Sequence, residues 1–165
     1  MAELRFSTID VDAHRELSRE FERDTHMQSF GNLERMIEPE EFIQAWLRGL
    51  IDKDPLSCVH AWLGDRIVGE LRMTLQRAAG EGYLFFVYLV PDQRGSGLAD
   101  QLHTYAIDYF RARQVRRVML SASPNNARAL AFYARHGWRD LGPRPDAPHV
   151  NLHELLLSPP SRSRG

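Results

Sequence analysis

The sequence predicts a single α/β domain in which seven strand-like segments and four helical ones follow one another. Three observations carry that expectation. Residues 57–63 and 66–76 alternate as strands and are joined by Gly64-Asp65, a two-residue loop suited to a primed hairpin turn. The apolar run at 83–90 reads as a central strand covered on both faces. It passes through a glycine turn directly into an amphipathic helix, in which Leu98, Leu102, Tyr105, Ala106, Tyr109 and Phe110 share one face.

The other elements follow in order. Residues 4–9 read as a short strand, with Leu4 and Phe6 at alternate positions. Residues 13–24 read as a helix with Leu17 and Phe21 as its thin apolar stripe. Periodicity then breaks, so residues 25–32 are expected to form a loop. Pro39, Glu40 and Glu41 open a second helix carrying Phe42, Ile43, Trp46, Leu47 and Leu50. On the second hairpin arm Leu71, Met73 and Leu75 face one way and Glu70, Arg72 and Thr74 the other. Residues 115–122 form another strand, and residues 127–136 a helix closed by Gly137. Strands at 138–142 and 149–157 end the fold, separated by a proline-containing loop, and residues 158–165 read as a disordered tail.

Composition narrows the function. The 165 residues carry a formal net charge of −1, which leaves no electrostatic footprint for nucleic acid or an anionic membrane. No apolar run approaches the roughly 18 residues of a membrane span. One cysteine, Cys58, fits a reducing compartment, and the start of the chain lacks a signal core, so the expected location is the cytoplasm. His149 and His153 would stand roughly 13 Å apart on one strand face, too far to share a metal. No metal site is expected. The basic stretch Arg111, Arg113, Arg116 and Arg117 reads first as cations complementing a helix C-terminus. A contact to a ligand phosphate is the alternative.

Chemistry concentrates in two stretches. In Arg94-Gly95-Ser96-Gly97-Leu98-Ala99, converging N–H groups and a helix N-terminus make a device for holding phosphate. A P-loop would need Lys and then Ser or Thr where Leu98-Ala99 stand. A dinucleotide fingerprint would need a small residue at Asp100. Further on, Asn126 and Tyr133 are seven residues apart on one helix face, about two turns or roughly 10 Å. An amide there can bond an amide-rich arm, and a phenol can protonate a leaving group. Capping for Asn126 and core packing for Tyr133 are the structural alternatives.

These residues resemble the GNAT N-acetyltransferase superfamily. Its signature of Arg or Gln, two residues, Gly, one residue, then Gly or Ala is matched by the segment from Arg94 to Ala99, after the usual proline, Pro91. A later element is matched by Asn126, Ala129, Phe132-Tyr133 and Gly137-Trp138. The resemblance implies one acetyltransferase domain over residues 1–157, with a mixed, mostly antiparallel sheet splayed between strands 4 and 5. Acetyl-CoA would lie in the gap as cosubstrate. Backbone at Leu89 and Val90 would pair with its pantetheine arm, and the amides of Gly95, Ser96, Gly97, Leu98 and Ala99 would hold its pyrophosphate. Asn126 would contact the arm, and Tyr133 would protonate the departing thiolate. Asp100 should point away from the phosphates.

Where several members of the family place a Glu base, this chain has Tyr83. Glu70 and Glu81 are the nearest acidic candidates, and an amine deprotonated through water needs neither. Asp24, His26, Ser29 and Phe30 fall in the region that admits the acceptor in such proteins, and Asp24 or Glu70 could pair a cationic amine. A small amine, an amino-acid-like metabolite or an aminoglycoside-type drug is the first expectation for the acceptor. A protein amine is second, and a non-catalytic acetyl-CoA sensor or assembly module is a third reading. Homodimers are common among such proteins, but the sequence specifies no interface.

Overall fold

A computed structural model describes residues 2–158. Along the chain run β1 (Arg5–Thr8), α1 (Arg15–Phe30), α2 (Glu40–Lys53), β2 (Cys58–Leu63), β3 (Arg66–Leu75) and β4 (Glu81–Leu89). A 3₁₀ turn (Pro91–Gln93) leads into α3 (Leu98–Ala112), then β5 (Arg117–Ala122), α4 (Ala127–Arg135), β6 (Arg139–Arg144) and β7 (Ala147–Leu156). The strands form one seven-stranded sheet in the order β1-β2-β3-β4-β5-β7-β6. Only the β4–β5 pair is parallel. Beyond Ser158 the expected tail lies outside the described residues. Among the described residues no helix is long and apolar enough to cross a membrane.

Two elements differ from expectation. Helix α1 does not stop near Asp24; it continues to Phe30 and ends at Gly31, whose left-handed φ of 73° lets its N–H reach the Met27 carbonyl. Periodicity fails there because contacts with the sheet, rather than an apolar stripe, hold the extension. Asp24 accepts from Tyr88 and Arg94, and the Phe30 ring lies 5.7 Å from that of His149. The expected loop between the last strands is a tight turn at Pro145-Asp146, with Pro143 inside β6. That strand is the sheet's edge, where a missing N–H is tolerated.

The feature that positions the site is a splay. Pairing of β4 with β5 covers Glu81↔Arg117, Gly82↔Val118 and Tyr83↔Met119 and then stops, although β4 continues to Leu89. A bulge contributes: Arg72 of β3 faces Phe86 while Met73 faces Leu84, so Phe85 is the extra residue. Helices α3 and α4 cover one face of the sheet, and α1 and α2 the other. On the α3 face the approach is close. A Cβ at Gly69 would sit 3.4 Å from the Leu102 side chain of α3 and 2.7 Å from the Tyr88 carbonyl oxygen of the neighbouring strand, and one at Gly82 would sit 2.5 Å from the Phe110 ring.

On the opposite face α1 is fastened by a buried polar knot. Glu70, 0% exposed, accepts from Ser18 Oγ and His60 Nε2 at 2.6 Å each and from Arg72 Nε at 2.7 Å. Arg72 also donates to Glu22 of α1 at 2.8 Å and lies over the Phe86 ring. Burial alone would push the Glu70 carboxyl up; the Arg72 charge and the bonds from His60 and Ser18 outweigh it and hold the group ionised. The face of Glu70, Arg72 and Thr74 is therefore covered by α1 over its first two members.

Two stability outcomes follow. Gly82→Ala forces the new methyl into the buried Phe110 ring and should cost about 1–3 kcal/mol, read from the denaturant midpoint. Glu70→Ala strips Arg72 of its main partner and should cost more, about 3–5 kcal/mol, in the same measurement.

Candidate functional site

The turn after β4 has the backbone geometry of an anion cradle. Its two glycines take φ values of +78° at Gly95 and +87° at Gly97, which a side chain would resist. Ser96 Oγ donates to the Gln93 carbonyl at 2.5 Å and tightens the loop. Helix α3 begins at Leu98, with Gly97 as its cap. Among the described residues no protein acceptor takes the N–H groups of residues 95–99, so they remain for a ligand at a helix N-terminus.

This turn forms one end of a groove of about 570 Å³. One wall is the unpaired end of β4, Val87 to Leu89; the other is α4, with Asn126, Arg128, Ala129, Phe132 and Tyr133. Thr25 and Gln28 of α1 close a third side. Asn126 caps α4, its Oδ1 accepting from the Ala129 N–H at 3.3 Å, and also lines the groove. Capping and lining the groove are thus combined in one side chain. Burial pushes the Tyr133 phenol up to about 12, and among the described residues its hydroxyl makes no hydrogen bond.

The β4 residues divide by direction. Val90 donates its N–H to Val68 at 2.8 Å, and its carbonyl accepts from Gln93 at 3.0 Å. Neither group is left for a pantetheine arm, which corrects the expectation for Val90. Because amides alternate along a strand, Leu89 points its own away from β3 and towards the gap. The Leu89 carbonyl already accepts from Arg94 Nε at 2.9 Å. Arg94 also donates to Asp24 at 2.9 Å, and Tyr88 donates to the same carboxylate oxygen at 2.6 Å. Burial pushes the Asp24 carboxyl up, but these bonds outweigh it and hold it below the usual range. Asp24 is therefore a tie between α1 and the signature turn, with its charge already matched.

Other expected residues fall into place or out of it. Asp100 lines the groove but is claimed by His136 at 2.8 Å and Arg135 at 3.0 Å, which hold its carboxyl below the usual range. Beneath it Trp138 donates to His103 Nε2, and burial pushes His103 down to about 4. With three partners on its two oxygens Glu70 is a strut, which corrects the expectation of a base. Glu81 pairs with Arg117 where β4 and β5 are still joined. The basic stretch is likewise structural at two positions: Arg113 pairs with Asp54, and Arg117 with Glu154. Ser29 and Phe30 lie in the last turn of α1, and the Phe30 ring is tilted against those of His26 and His149. Thr25 and Gln28 were hidden by the expected loop. Arg128, two residues after Asn126, carried a signal in its position on the first turn of α4.

Comparison with known proteins agrees with this geometry. Residues 13–138 match the model of the acetyltransferase (GNAT) family. No curated protein matches the sequence. Among solved structures, the chain is similar to PaiA N-acetyltransferase of Thermoplasma acidophilum in complex with coenzyme A, at 15% identity and a TM-score of 0.68 over 94% of this chain and 99% of that one. It is similar to an acetyltransferase of Thermus thermophilus at 23% identity and 0.68, over 95% and 100%. A chain of the NatC complex bound to Gag peptide and CoA aligns at 16% and 0.69, over 94% and 99%. These likenesses are of fold; the family match covers most of the chain and both motifs. The protein belongs to the acetyltransferase (GNAT) family and is an acyl-CoA-dependent N-acetyltransferase.

Proposed function

We propose that the protein moves the acetyl group of acetyl-CoA to the primary amine of a small metabolite, an amino-acid-like compound or a drug by direct attack. The observation that carries this reading is the groove: an open anion cradle at Gly95 to Ala99, and Tyr133 on the wall with an uncommitted hydroxyl. The cradle would take the pyrophosphate, and Arg128, which has no ion pair among the described residues, would take further phosphate charge. The Leu89 N–H would polarise the thioester oxygen as charge develops. Tyr133, protonated at neutral pH, would supply the leaving thiolate with its proton.

A small acceptor is favoured by the ring contact between Phe30 and His149, which joins the end of α1 to β7 and narrows the entry on that side. A peptide amine is the second reading, favoured by the likeness to a chain of the NatC complex, which is bound to Gag peptide and CoA. A panel of amino acids, aromatic amines, polyamines, aminoglycosides and peptides, assayed by thiol release, separates the two. A response to peptides alone reverses the order. Tight acetyl-CoA binding with no release from any acceptor replaces both readings with a sensor.

Tyr133→Phe should lower kcat by about ten- to a thousandfold while acetyl-CoA still binds, measured by steady-state kinetics and calorimetry. An unchanged kcat removes Tyr133 from the acid role.

A further inference from the structure

The carboxylates expected to serve as base are all committed, yet an amine must lose protons to become an amide. Helix α1 runs across the sheet on the face opposite α4, and Glu22, His26 and Phe30 form one stripe of it at i, i+4, i+8. The two ends of that stripe are located by their contacts. Glu22 accepts from Arg72 of β3, whose guanidinium lies 4.5 Å from the centre of the β4 Phe86 ring. Phe30 reaches His149 of β7, with ring centroids 5.7 Å apart. In the sheet, β4 and β7 are separated by β5 and the splay alone. His26 is midway along the stripe, between those two contacts, on the sheet face opposite α4 and one residue from the groove-lining Thr25. Its Nδ1 is buried and has no hydrogen-bond partner among the described residues, a state that native proteins keep rarely and often for chemistry.

The geometry points to His26 as the general base of the transfer, an assignment that rests on the acetyltransferase reading above. His26 Nδ1 takes one proton from the acceptor's ammonium, freeing the nitrogen lone pair to attack the thioester carbon. The C–S bond breaks, and the thiolate takes the Tyr133 hydroxyl proton as the S–H bond forms. The surplus proton on the new amide nitrogen restores the Tyr133 hydroxyl, and the imidazolium releases its proton to solvent. One acetyl group has moved and one proton has left. Burial keeps the imidazole neutral by pushing its pKa below the usual value; Glu22 on the same helix opposes this shift and Arg19 adds to it. The remaining charged and titratable groups around it are Arg72 from β3, reached through Glu22, and His149 from β7 and Arg35, which both contact Phe30.

The test uses the full-length protein with acetyl-CoA and the fastest acceptor of the panel. Two variants are compared: His26→Gln, which keeps polarity, and His26→Phe, which keeps the ring against Phe30. Both should lower kcat about a hundredfold at pH 7, with KM for acetyl-CoA within about twofold and unchanged melting temperature. The wild-type rate should fall on the acid side as His26 gains its proton, and this limb should vanish in both variants. Their deficit should shrink above the acceptor's own amine pKa, where no base is needed. A wild-type rate in either folded variant, or a deficit equal at every pH, overturns the assignment. If Tyr133→Phe is impaired while the His26 variants are not, this inference alone fails; if no acceptor releases thiol, the acetyltransferase reading fails with it.

Discussion

The structure depends on one interruption: the sheet stops pairing with itself after Tyr83↔Met119. Unpaired backbone groups on a central strand are costly when buried, so the opening must be held by something other than its own hydrogen bonds. The extra residue Phe85 redirects β4. The Tyr83 hydroxyl bonds Ser121 of β5, just past the last paired residues, and Arg144 stands beside both. These contacts pin the vertex. At the far end Arg94 occupies the Leu89 carbonyl, so part of the strand's unmet demand is satisfied by the signature turn itself. The gap is a built feature with a fixed floor and a partly capped rim.

Helix α1 is what makes the gap a site with two sides. It is attached twice, through Glu70, Arg72 and Glu22 over β2 and β3, and through Asp24 to Tyr88 and Arg94 beside the turn. Apolar packing alone, Phe21 stacked on Tyr88 at 4.4 Å, would leave the helix free to slide. A buried carboxylate with three partners tolerates little displacement, because each broken bond leaves a desolvated charge. The same demand explains why Glu70 is unsuited to proton transfer. A group whose lone pairs are all spoken for does its work by staying still.

What the sequence made legible was whatever depends on local geometry. The Gly64-Asp65 hairpin, the glycines at 95 and 97 and the Asn126–Tyr133 helix face all follow from turn chemistry or helical period. What it hid depends on partners distant in the chain. Residues 25–30 lack an apolar stripe, yet they continue the helix between Asp24, held by Arg94 and Tyr88, and Phe30, which meets His149. Glu70 sits in an alternating strand and looks solvated until α1 is laid over it. Val90 reads as a strand residue like Leu89, but parity in the β3 ladder turns its amide inward. Asp100 looked like a misfit beside phosphate; its partners His136 and Arg135 lie more than thirty residues away.

Charge is distributed along the groove in a way that a net value of −1 conceals. At the α3 end, N–H donors converge, Arg128 stands without an ion pair among the described residues, and the one nearby carboxylate, Asp100, is neutralised by two partners. Low local dielectric strengthens these interactions with an anion. On the α1 side the groove is met by the hydroxyl of Thr25 and the amide of Gln28, with Asp24 already paired. A ligand that is strongly anionic at one end and uncharged at the other fits such a gradient, as a thioester on a nucleotide-bearing arm would. Reversed, it would set phosphate against Thr25, Gln28 and the paired Asp24, and leave the α3 dipole without a partner. Under the proposed reading, this polarity sets the pyrophosphate at the α3 end of the groove and the transfer away from it.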